Sequence, residues 1–240
     1  DLILMVPTLF LFWNRKKLES EFKESVNVTG MVLSLGISCF VAWHAIEHLP
    51  AFDFRPYKVG ANIKKNMEPS EPLRYVYFME RNGETKEFTE YPTDTTWKFK
   101  TMEVANPDAK PKITDYSLWN DEGDFTQQSF EGNKLFLIIR KADKVDPKDL
   151  KKVASLFNNM AKLGSMKIEC SVITGSDAKS MELLRHEAQL AVPYYYGDGT
   201  VLKTIMRSNA GLWMLKYGEV KGKWHLNDCP DIHEVIESLK

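Results

Sequence analysis

From Val28 to Ile46 the chain runs nineteen residues without a formal charge. Hydrocarbon offers backbone N–H and C=O groups no partner, so a stretch of this length and character crosses a bilayer as a helix that satisfies those groups internally. Gly30, Ser34 and Ser38 recur along it at four-residue steps. Three small residues then share one helix face, where another membrane helix can approach closely. A lone anchor needs no such stripe, and the expected partners of this segment are further transmembrane helices of one bundle. His44, Glu47 and His48 precede Pro50 and read as the solvated end of a helix that the proline stops.

A second apolar stretch, Leu2 to Trp13, is followed at once by Asn14, Arg15, Lys16 and Lys17. As a helix it would rise about 18 Å, short of the roughly 30 Å hydrocarbon core. Its basic residues follow the apolar run, whereas in a signal peptide they precede it. The N-terminal region therefore reads as a partial membrane segment: a helix remnant at 2–13, a basic loop at 14–25 and a helix at 28–46. Arg15, Lys16, Lys17 and Lys23 hold that loop on the cytoplasmic side. The remainder of the chain is then expected outside the cytoplasm, in the periplasm at the inner membrane. Arg55, Lys58, Lys64 and Lys65 follow the second helix, but charges leading into a long translocated domain weigh less.

The rest of the sequence excludes some classes. Lys and Arg number 32 against 33 Asp and Glu, interspersed along the same segments. No basic stripe offers the counterion release that nucleic-acid binding requires. Cys39, Cys170 and Cys229 form neither a CxxC pair nor a zinc spacing.

Residues 49–110 read as a connector and a hairpin. Pro50, Pro56, Pro69 and Pro72 fall among charges without a sustained period. Tyr75–Arg81 and Glu84–Tyr91 flank Asn82-Gly83, a pair that tolerates positive φ and matches hairpin twist. Tyr75, Tyr77, Phe78 and Phe88 are the packing surface of that hairpin.

Residues 111–240 alternate strands and helices. Leu135–Ile139 is a continuous apolar run, as in a strand buried on both faces. Asp146-Pro147 opens a helix carrying Leu150, Val153, Phe157 and Met160, ended by Gly164. Met166, Ile168, Cys170 and Val172 alternate along a second strand. Ser176 or Asp177 starts another helix, Tyr217-Gly218 joins a second hairpin, and a last helix places Ile232, Val235, Ile236 and Leu239 on one face. The fold class expected is α/β, a mixed sheet covered by helices.

Asp115-Tyr116-Ser117-Leu118, Asn120 to Gly123 and Phe130 to Lys134 resemble the opening of a redoxin or peroxiredoxin type of thioredoxin fold, and GLWMLKYGEV from Gly211 to Val220 resembles its late hairpin. The resemblance implies a nucleophilic cysteine at the helix start after the first buried strand. Here that segment reads RKADKVDPKDLKK, without a cysteine. It also implies a cis-proline before the late hairpin, where this chain has Asn209-Ala210-Gly211. Over nearly its whole length the chain resembles the Bacteroidetes membrane proteins of the DoxX class, on DFRPYKVGANI (Asp53 to Ile63) and on Leu202 to Pro230. That resemblance implies a bundle of about four transmembrane helices ahead of a thioredoxin-like domain, with this sequence beginning inside the third. It implies a quinone or sulfur redox setting, without supplying a reactive residue here.

The expected function is a redox-inactive, membrane-anchored interaction or sensing module with no cofactor, catalytic residue or metal. The alternative from the enzyme class is a membrane thiol or quinone oxidoreductase whose reactive residues lie in helices upstream. The candidate partner-binding residues are Arg207, Asn209, Trp224, His225, Asp228 and Cys229, gathered around the late hairpin where thioredoxin folds present a groove, with an extracytoplasmic protein or peptide as partner. His225, Cys229 and His233 recur every fourth residue, but Pro230 breaks the helix that would align them on a metal.

Overall fold

The computed structural model describes residues 2–15, 24–162 and 168–240, in two units, Asp1–Ile46 and Glu47–Lys240. The first holds α1 (Leu2–Asn14) and all but the last residue of α2 (Glu24–Glu47). Ser25–Glu47 is the one helix among the described residues long and apolar enough to cross a membrane, a property that anchors and signal sequences share. Most of the expected basic loop, and Gly164 and Met166, lie outside the described residues.

The second unit opens with a short helix, α3 (Ile63–Asn66), and a small sheet of β1 (Tyr75–Arg81), β2 (Glu84–Phe88) and β3 (Lys98–Val104), in the order β2-β1-β3. Asn82 and Gly83 take positive φ, as a two-residue hairpin turn requires. The third strand departs from the sequence reading, because KFKTMEV has no clean alternation; a bulge opposite Phe78 and Met79 interrupts its period. Met79 is fully buried, and Phe88 and Trp97 meet edge to face at 5.1 Å.

The larger sheet contains β4 (Leu118–Asn120), β5 (Gly123–Asp124) and β6 (Asn133–Ile139), then α4 (Lys151–Lys162), β7 (Ile168–Thr174) and α5 (Ala178–Ala188). It continues with β8 (Tyr194–Gly197), α6 (Gly199–Ile205), β9 (Ala210–Lys216), β10 (Glu219–His225) and α7 (Ile232–Ser238). Strand order is β10-β9-β6-β7-β8-β4-β5, with β6, β7 and β8 parallel and the other pairs antiparallel. A β6-α4-β7 unit followed by β9-β10-α7, in the spatial order β7-β6-β9-β10, is a thioredoxin-like arrangement. Neither β8 nor α6 was expected: YYYG is short, and α6 starts on an Asp198 cap directly after it.

β6 explains why a continuous apolar run is needed at the centre. Leu135, Leu137 and Ile139 pack against α4, α5 and α7, while Phe136 and Ile138 pack on the opposite face with Trp213, Ile173 and α6. Asp146 and Pro147 head a turn rather than the helix. Asp146 Oδ1 accepts from Lys148 N at 2.9 Å, and the regular helix begins at Lys151.

Residues 49–67, read from sequence as a connector, instead form a strap across the late hairpin. Gly60 N donates to Val220 O and Ile63 N to Gly218 O, both at 2.8 Å, while Val220 N donates to Ala61 O at 2.9 Å. Tyr57 and Ile63 of the strap are buried in the core layer that contains Trp213 and Val220. The strap rests on the turn at Tyr217 (φ 49°) and Gly218 (φ 77°). A side chain at the second position is strained, so Gly218→Ala is expected to lower unfolding stability by about 1–2 kcal/mol in chemical denaturation.

Candidate functional site

The chain just past β6 and just before β9 is tied together by hydrogen bonds. Past β6, Arg140 N donates to Asn209 O at 2.8 Å, and Asn209 Nδ2 donates to Lys141 O at 2.9 Å. Ala142 N donates to Ser176 Oγ at 2.8 Å, and Ser208 Oγ donates to Ala210 O at 2.6 Å. Because Ile139 pairs with Ala210, Arg140 and Asn209 are cross-strand neighbours one step beyond the ladder. Arg140 Nε and Asn209 Oδ1 are buried atoms without a hydrogen-bond partner among the described residues. Sequence reasoning named Asn209 but not Arg140; a positive charge directly after a buried strand was the available signal.

The thiols lie elsewhere. Cys170 pairs with Leu135 at the opposite end of β6 from Arg140, and burial pushes its pKa up to about 12. Cys229 packs against the core layer of α4 and α7, its sulfur 3.8 Å from Pro230 O. Burial raises its pKa; Lys152, in the first turn of α4, acts in the opposite direction and Glu234 adds to the rise. A thiol within electrostatic reach of a helix start is thus present, but shifted away from the thiolate.

Of the other expected partner-binding residues, three are committed internally. Trp224 Nε1 donates to Glu234 Oε1 at 2.8 Å. His48 Nδ1 lies 2.8 and 2.9 Å from the two carboxylate oxygens of Asp228. His225 Nδ1 accepts from Asn227 N at 3.1 Å, and burial lowers the pKa of His225, with His48 adding to that and Asp228 and Glu47 opposing it. Asn227 in turn donates to Glu47 Oε2 at 2.6 Å. Arg207 is exposed. Among the described residues no three His, Cys, Asp or Glu side chains converge on a metal position. In α2, Ser38 Oγ donates to Ser34 O at 2.8 Å, and nothing lies within 4 Å of a Cβ placed on Gly30.

A groove of about 560 Å³ runs between α4 and α7, lined by Lys152, Leu156, Asn159, Ile232, His233 and Ile236. It lies on the helix side of the sheet, on the layer to which Cys229 belongs.

Comparison with known proteins gives a narrow result. A family described only as a domain of unknown function, DUF8463, matches residues 73–104, the small three-stranded sheet. No curated protein matches. Among solved structures, yeast Sco1 is 10% identical over 52% of this chain and 93% of its own, with a TM-score of 0.40. Bradyrhizobium japonicum ScoI with copper bound is 13% identical over 52% and 96%, with a TM-score of 0.37. A thiol peroxidase from Chromobacterium violaceum is 15% identical over 53% and 82%, with a TM-score of 0.36. Likenesses this distant bear on no residue's role.

Proposed function

We propose that this chain belongs to a DoxX-like membrane protein of the Bacteroidetes kind, in which α2 is one of several inner-membrane helices and Glu47–Lys240 is a periplasmic module. That module binds a protein or peptide and performs no thiol exchange of its own. One observation carries the absence of thiol exchange: the strand end that holds a reactive sulfur in thioredoxin-like enzymes holds Arg140, Lys141 and Asn209, while Cys170 and Cys229 are partly buried elsewhere with raised pKa values. The thiolate is the species that attacks a disulfide, so a thiol held protonated near neutrality is a poor catalyst.

Binding is favoured at the same place. An unpaired buried donor or acceptor costs about 1–3 kcal/mol, which a ligand recovers by pairing it. Arg140 and Asn209, neighbours one step past the β6–β9 ladder, carry one such donor and one such acceptor, and an extended peptide that displaces the local hydrogen bonds presents the complementary C=O and N–H groups. Arg207 is an exposed charge close by in sequence. The test uses the full chain in detergent and in native membranes. Insulin reduction and peroxide consumption are expected at the rate of buffer alone. Crosslinking is expected to capture a partner that an Arg140→Ala/Asn209→Ala double variant no longer holds. Turnover at enzyme-like rates, or equal capture by the double variant, would overturn the proposal.

A further inference from the structure

The first residues after α2 carry an exposed aromatic pair beside a lysine groove, and neither has a use within the fold. Phe52 and Phe54 are 79% and 89% exposed, and their rings stack at 6.5 Å with 14° between planes. Phe54 lines an open groove of about 860 Å³ together with Lys58, Lys65 and Lys112. An adjoining groove of about 450 Å³ shares Lys65 and Lys112 and adds Lys110. These four lysines are exposed, and none forms an ion pair among the described residues. The acids at the rims are few. Glu219 is held by Lys221 at 3.0 Å, and Glu68 and Asp108 lie on the second groove.

We infer that Phe52, Phe54 and the lysines of this groove dock on the surface of a bilayer that contains anionic phospholipid. The inference rests on the proposed reading of α2 as a membrane anchor. Phe54 follows Glu47 by seven residues, so even fully extended chain keeps it within about 25 Å of the end of that helix. Phenylalanine on a surface segment flanked by lysines buries at the boundary between headgroups and acyl chains. Lysines near an anionic surface each gain from its potential, and that gain decays over a Debye length. Phenylalanine beside lysine matches both layers of such a surface, and the positive groove is complementary to phosphate in the headgroups. Arg55 lines the groove but is committed to Asp53, which leaves the lysines as the available charge.

The experiment places the full chain in lipid nanodiscs of phosphatidylcholine alone or of phosphatidylcholine mixed with phosphatidylglycerol. Lysine acylation rates are then read peptide by peptide by mass spectrometry. Lys58, Lys65 and Lys112 are expected to react on the order of fivefold more slowly in the anionic discs at low salt, with the difference lost at high salt. Lys98 and Lys179, exposed elsewhere on the unit, are expected to be unchanged. A Phe52→Ser/Phe54→Ser variant is expected to lose most of the protection. Equal rates in the two lipids, or protection that spreads to Lys98 and Lys179, would overturn the docking surface. Extraction by alkaline carbonate separately overturns the anchor, and lysine protection on anionic vesicles is still read directly in that event.

Discussion

Native protein treated with iodoacetamide at mildly alkaline pH is expected to keep Cys170 unmodified while the urea-unfolded chain is alkylated there on the order of a thousandfold faster. Burial moves this thiol from an ordinary 9.0 to about 12. A rise of three units cuts the thiolate fraction by about 10³ at any pH well below both values. The side chain lies where β6 and β7 begin, paired with Leu135 and packed on the layer formed by α4 and α5. Cys229, also raised by burial, is expected to follow in weaker form because Lys152 acts against the shift. Peptide mass spectrometry after a timed quench reads both sites. Comparable alkylation of the native and unfolded chains at Cys170 would show an accessible thiolate and remove the basis for calling the module redox-inactive.

The contrast between what the residues disclosed and what they concealed follows sequence distance. Leu135–Ile139 announced a strand buried on two faces because every position had to be apolar, and Asn82-Gly83 and Tyr217-Gly218 announced turns because the backbone there needs positive φ. Those signals are local. The strap at 49–67 is not: its residues look like a charged, proline-broken connector until Val220, Gly218 and Lys223 supply partners more than 150 positions away. The two stretches that carried the family resemblance, Asp53 to Ile63 and Leu202 to Pro230, are thus largely halves of one packing arrangement. The same distance explains the candidate site. Asp228 and Trp224 looked available because His48 and Glu234, which occupy them, could not be assigned from spacing. Arg140 went unnamed because only the pairing of Ile139 with Ala210 brings it beside Asn209.

Asp53→Ala is expected to be the most destabilising single change in the strap, by about 3–5 kcal/mol, because it strips two cations of a shared partner at once. Lys223 Nζ donates to Asp53 Oδ2 at 2.8 Å, and its side chain is only 5% exposed. Arg55 Nε donates to Asp53 Oδ1 at 2.7 Å. Burial alone would raise the Asp53 pKa, but the hydrogen bonds from Arg55 and Lys223 outweigh it and hold the carboxyl well below the usual range. Burial lowers the Lys223 pKa and Asp53 opposes that. Without the carboxylate, Lys223 keeps among the described residues a 3.4 Å contact to Tyr57 O. A folded-state pKa depressed in this way contributes stability that is complete above the ordinary carboxylate value of 3.8 and is lost as the pH falls below it. Wild-type stability is therefore expected to drop steeply in acid, and the Asp53→Ala variant to show a flatter acid limb. Pairing it with Lys223→Met removes the stranded ammonium and is expected to recover a large part of the loss, since apolar replacements of a buried ion pair are often neutral or stabilising. Urea denaturation of wild type and the two variants across pH reads both effects. A single variant that unfolds within about 1 kcal/mol of wild type would mean that water screens the cluster and that the strap is held by its backbone hydrogen bonds to the hairpin and by Tyr57 and Ile63.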